Sequence, residues 1–121
     1  MFLDELFTVL SLNATAETIS AEIRIEESHP IFTGHFPGSP VTPGVVQLQI
    51  VKEILEIHLH QKLRMNTMRS CKFLKILNPI ETPVITIAIK FEDQEDSLEV
   101  TASANHNGDV YFKAQMSYVR F

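Results

Sequence analysis

The chain has 121 residues, 45% apolar and 21% charged, with a formal net charge of −5. That length gives one domain, residues 1–121, able to bury roughly two thirds of its unfolded surface and to hold a core without staples. The acidic balance argues against nucleic acid, the lone Cys71 excludes an internal disulfide and fits a reducing cytoplasm, and neither a basic leader nor an apolar run of the ~20 residues a bilayer needs is present.

Taken in chain order, residues 2–6 read as a short helical turn and 7–12 as a strand, with a turn at Asn13-Ala14-Thr15. From Thr18 the pattern alternates: Ile19, Ala21, Ile23 and Ile25 face one way, and polar residues the other. This is the signature of a half-buried strand. Residues 28–44 hold four of the six prolines and three of the four glycines and read as a long loop. A loop of that length inside a compact domain is usually functional.

A helix is expected from Thr42-Pro43, with Thr42 as cap and Pro43 in the first turn, continuing to about Gln61. Lys52, Glu53, Glu56 and His60 form its polar stripe, with Val45 and Gln49 at the stripe's edge. Apolar residues cover more than half the circumference, so the helix is wrapped by other structure. Gln47, inside the apolar arc, is expected to be a buried amide tied to backbone. After a connector come four β-rich runs at 71–77, 84–91, 98–104 and 110–120, the last two separated by the hairpin signal Asn107-Gly108. The order β-β-helix-β-β-β-β with antiparallel connections is α+β, the sheet wrapping the helix.

One segment carries chemistry: His35-Phe36-Pro37-Gly38-Ser39-Pro40-Val41-Thr42-Pro43-Gly44-Val45, preceded by His29-Pro30-Ile31-Phe32-Thr33-Gly34. It resembles the His-Phe-Pro-Gly-x-Pro-x-x-Pro-Gly motif of the 3-hydroxyacyl-acyl-carrier-protein dehydratases. The text from Pro43 to Gln49 is closer to the aryl-polyene and flexirubin-type pigment-cluster members. The resemblance implies a hotdog fold, dimerised with sites at the subunit interface. It also implies an acyl carrier protein as partner and an acyl tail lying in an apolar tunnel beside the helix.

Removing a proton alpha to a thioester carbonyl needs a base of near-neutral pKa, which histidine supplies, and a donor for the developing enolate oxygen. By resemblance His35 is the base and the Gly44 amide is the donor, while Phe36, Pro43 and Val45 help bind substrate. The third part departs from the family: Gln49 stands where the fatty-acid dehydratases carry glutamate and the pigment-cluster ones often aspartate. An amide holds a hydroxyl or water but gives no acidic proton. Glu53, one turn on, shares its azimuth, and the spacing supports only that shared face.

Other polar residues carry blander readings. His58 and His60, two apart on a helix, diverge and do not chelate one metal. His106 reads as a turn residue, His29 either shapes the loop or is exposed, and Cys71 reads as a buried small residue. Residues 57–80 hold Lys62, Arg64, Arg69, Lys72 and Lys75 and no acid, a candidate dock for an acidic carrier protein or else a solvated connector. No cofactor or metal motif is seen. Three functions compete: a dehydratase, a non-catalytic acyl-binding subunit that pairs with an active homologue as a heterodimer, and a hotdog thioesterase. The intact proline-rich histidine loop counts against the third.

Overall fold

The structure is a computed structural model describing residues 1–33 and 40–121. The elements are β1 (Phe7–Ala14), β2 (Thr18–Ile25), a 3-10 turn (Pro30–Phe32), α1 (Gly44–Leu59), β3 (Leu63–Phe73), β4 (Val84–Asp93), β5 (Leu98–His106) and β6 (Asp109–Arg120). The strands form one six-stranded sheet in the order β1-β2-β4-β5-β6-β3, every pairing antiparallel. This is the expected α+β arrangement, a hotdog in which one helix packs on the inner face of the sheet.

The alternation read in the sequence determines which face turns inward. Ile19, Ala21, Ile23 and Ile25 of β2 are buried, as are Ile85, Ile87, Ile89 and Phe91 of β4 and Leu98, Val100, Ala102 and Ala104 of β5. Register aligns Ala21 with Ile87, Ile87 with Ala104 and Ala104 with Phe112. Small residues thus alternate with large ones across the sheet, leaving room for the helix to seat closely. Val46, Ile50, Val51, Ile54 and Leu55 of α1 join these side chains in one core. At the β5–β6 hairpin Asn107 and Gly108 both take positive φ, 48° and 82°, as a two-residue primed turn requires.

Several boundaries differ from the sequence reading. The first strand after the helix is Leu63–Phe73 and not 71–77. Nearly all of β3 is exposed and it is bulged near Asn66 and Arg69, so it shows no in-out alternation to read. It is an edge strand, bonded only to β6. β1 runs to Ala14, with the turn held by Thr15 and Thr18. The expected loop at 28–44 contains a 3-10 turn at Pro30–Phe32. His106 ends β5 instead of sitting in the turn.

The helix begins at Gly44 with Pro43 as the capping residue, and no side chain caps it. Thr42 is not the cap: its N–H donates to Leu77 O (2.9 Å), its carbonyl accepts from Gln47 Nε2 (3.0 Å), and its hydroxyl has no partner among the described residues. Gln47 is therefore the buried amide expected, and it fastens the chain entering the helix. At the far end His60 adopts the left-handed conformation, φ 54°, which stops the helix at Leu59. Among the described residues no helix is long and apolar enough to cross a membrane.

Candidate active site

The first turn of α1 presents donors that no acceptor among the described residues takes up. A helix's leading N–H groups have no intrahelical acceptor, and the macrodipole places partial positive charge there. Val46 and Gln47 N–H both bend back to Pro43 O (3.1 Å each). Among the described residues no hydrogen bond uses the Gly44 or Val45 N–H. Thr42, Pro43, Gly44, Gln47, Phe73 and Leu77 line part of a cavity of about 270 Å³ at this point. The Phe73 ring stands over Gly44, where a Cβ would lie 2.5 Å from its Cζ. Glycine is thus favoured at this position by close approach and not by backbone conformation, since any side chain here must displace the Phe73 ring.

Val45, Gln49 and Glu53 occupy successive turns of one helix face. Exposure falls along it from 76% at Val45 to 0% at Glu53, with Gln49 half-buried. Glu53 is thus not part of a solvated polar stripe. Its Oε1 accepts the N–H groups of Phe2 (2.8 Å) and Leu3 (2.9 Å), and its Oε2 accepts that of Phe2 (3.0 Å) and the side-chain N–H of Gln49 (3.0 Å). A buried carboxyl is tolerated when its oxygens are satisfied in this way. Sequence reasoning could not find this role, because two of the donors are backbone groups some fifty residues away, which no side-chain pattern reports.

The chain leading into the motif is shaped as the loop reading of His29 requires. His29 Nδ1 accepts the Ile31 N–H (3.0 Å) and caps the 3-10 turn, and its ring meets Phe2 edge-on at 6.1 Å. Phe2 therefore touches both Glu53 and His29. Of the site residues expected from sequence, Pro43 and Gly44 line the cavity at the start of α1, while Val45 and Gln49, in its first and second turns, are not among the residues that line it. His35 and Phe36 lie outside the described residues.

Several of the remaining candidates make contacts within the fold. His58 packs its ring on Phe91, at 6.1 Å between centroids. Cys71 is half-buried, and desolvation raises its thiol pKa, away from nucleophilic chemistry. Of the five basic residues at 57–80, Arg69 pairs with Glu99 and Lys75 with Asp109 (2.8 Å). That last contact raises the Lys75 pKa and lowers that of Asp109, first through the hydrogen bond and then through charge. Arg64 lies over the Phe121 ring at 5.5 Å.

Comparison with known proteins sets this geometry in a family. Residues 11–114 match the sequence pattern of the ApeI-like family, described as ApeI dehydratase. The 3-hydroxyacyl-(acyl-carrier-protein) dehydratase FabZ of Lactobacillus helveticus is 26% identical over 111 residues, covering 85% of this chain and 74% of that protein. FabZ of Chlamydia pneumoniae is 38% identical over 45 residues, which is 37% of this chain and 29% of that protein.

Among solved structures, the dehydratase heterocomplex ApeI:P from Xenorhabdus doucetiae superposes with a TM-score of 0.74 at 17% identity, covering 93% of this chain and 97% of that one. A hypothetical thioesterase with coenzyme A from Streptococcus pneumoniae superposes with 0.66 at 13% identity, covering 95% and 85%. At such identities the structural likeness shows the hotdog fold. The sequence match over most of its length shows that the chain belongs to the ApeI-like dehydratase family.

Proposed function

We propose that the protein eliminates water from a 3-hydroxyacyl thioester carried on an acyl carrier protein, giving the trans-2-enoyl thioester. The observation that carries this reading is the helix start at Gly44, at the end of the His35–Gly44 motif, where the Gly44 and Val45 N–H groups have no acceptor among the described residues. In this reading the thioester oxygen sits on those donors, next to the helix's positive end, as enolate charge develops. His35 takes the proton from C2, the C3–O bond breaks and the C2–C3 double bond forms. Gln49 holds the departing oxygen, and the proton taken by His35 returns to it to make water. Phe36, Pro43 and Val45 border the acyl thioester, and the acyl tail follows apolar surface beside the helix.

Two features support partners of stated kinds. β3 is an edge strand that pairs with β6 alone among the described residues, and exposed Met65, Met68, Phe73, Leu74 and Ile76 lie on or next to it, with the exposed Val45 following Gly44 under the Phe73 ring. Such an edge invites pairing with a second hotdog chain, identical or related. Lys62, Arg64 and Lys72 form no ion pair among the described residues and suit an acidic carrier protein, while Arg69 and Lys75 are spent on Glu99 and Asp109.

A second reading is favoured by Gln49. With an amide there and Glu53 held by Phe2, Leu3 and Gln49, α1 itself carries no free carboxyl in its first three turns. It would then be the acyl-binding partner of an active homologue. The ApeI:P neighbour is itself a heterocomplex, which supports looking for such a chain. Turnover of a 3-hydroxyacyl pantetheine by the purified protein decides between them. Enoyl product supports the dehydratase. Binding without product, and product once Gln49→Glu is made, supports the partner subunit.

A further inference from the structure

We infer that Glu53 is a positioning residue that turns the Gln49 amide so that the site is offered a hydrogen-bond acceptor and not a donor. The inference rests on the reading of Gln49 as substrate-facing and extends it. An amide has one donor end and one acceptor end, and a carboxylate only accepts. Both Glu53 oxygens already take backbone N–H groups from Phe2 and Leu3, so the Gln49 end facing Glu53 must be Nε2, as found at 3.0 Å. The Oε1 of Gln49 then points away from Glu53, and among the described residues no hydrogen bond uses it. Rotating the amide would place oxygen against oxygen on a carboxyl that is 0% exposed.

The consequence is a substrate preference. A C3 hydroxyl can donate to the fixed Oε1, whereas a C3 carbonyl meets it acceptor to acceptor. The site should favour 3-hydroxyacyl over 3-oxoacyl thioesters of the same length by about tenfold, the worth of one hydrogen bond made or lost.

The test measures binding of 3-hydroxy-, 3-oxo- and unsubstituted acyl pantetheine thioesters to the full chain carrying His35→Ala, so that nothing is consumed. Glu53→Gln is then added. Its amide oxygen can keep Phe2 and Leu3 while its Nε2 faces Gln49, so Gln49 turns over and presents a donor. The preference is expected to vanish or invert toward the 3-oxo ligand. An unchanged preference in a folded Glu53→Gln protein overturns the inference.

Should Glu53→Gln not fold, Gln49→Leu leaves the Glu53 clamp on Phe2 and Leu3 intact and must erase the preference; a preference that survives overturns the inference. A readout independent of ligand is the Gln49 side-chain N–H pair in nitrogen-15 spectra of the free protein. Slowed exchange of one proton supports the contact, and free exchange overturns it. If the parent binds none of the three thioesters, the dehydratase reading fails, while the spectrum still decides how Gln49 is oriented.

Discussion

Phe73 and Gly44 are locked by shape: the ring lies where a side chain on Gly44 would begin, 2.5 Å from the built Cβ. Phe73 is itself 49% exposed at the end of an edge strand, so its ring can swing outward. Gly44→Ala should therefore dislodge the ring before it unfolds the helix. The two positions should couple by about 1 kcal/mol, the scale of a modest overpacking strain. A double-mutant cycle of thermal unfolding with Gly44→Ala and Phe73→Ala checks this: the alanine at 44 should cost less once the ring is gone, and independent costs would contradict it.

Gln49→Glu should tie stability to pH. It sets a second carboxyl within hydrogen-bond reach of Glu53, which is buried and already satisfied. Two such groups do not both ionise easily, so the folded state retains a proton that the unfolded chain releases near the ordinary glutamate value of ~4.3. Because the folded state binds more protons above that pH, stability falls as pH rises. The variant should lie about 1–3 kcal/mol below the parent at pH 7 and approach it near pH 4, measured by denaturant unfolding at both values. A pH-independent gap would show that the new carboxyl points elsewhere.

Tyr118 gives an alkaline counterpart. It is fully buried with an unpartnered hydroxyl, and desolvation, then the Glu56 charge, pushes its pKa well above the phenol value of 10. The unfolded chain ionises from about pH 10 while the folded one does not, so this residue draws stability down as pH rises beyond that value. Tyr118→Phe should remove that slope and, by deleting an unsatisfied hydroxyl, should raise stability at pH 7 by about 1 kcal/mol. Unfolding curves at pH 7 and pH 10.5 check both parts; a destabilised Phe variant would mean that the hydroxyl has a partner.

Much of the fold was readable because its signals are local. The alternation of Ile19, Ala21, Ile23 and Ile25 names a strand and its buried face together, and Asn107-Gly108 names a hairpin. β3 was misplaced because an exposed, bulged edge strand has no buried face to imprint a pattern. The sequence puts the helix start at Thr42-Pro43, one residue before the observed start at Gly44, and the device that secures it is not where a capping rule looks. Thr42 bonds through its backbone, and Gln47, five residues on, supplies the side chain.

Of the candidate site, the helix residues were legible only as positions along α1: Gln49 stood out as the departure from the family's acid, and it lies one turn from Val45. Its contact with Glu53 was hidden, because Glu53 reads as a solvated residue until the N-terminal turn folds back onto it.

Dehydration of a 3-hydroxyacyl thioester with His35 as base can be followed by the ultraviolet absorbance of the conjugated enoyl thioester. A short 3-hydroxyacyl pantetheine would be given to the parent and to His35→Ala. Product is expected with the parent, and a rate lower by on the order of 10²–10⁴ without the histidine. Binding with no product from the parent, or an undiminished rate in His35→Ala, would contradict this reading.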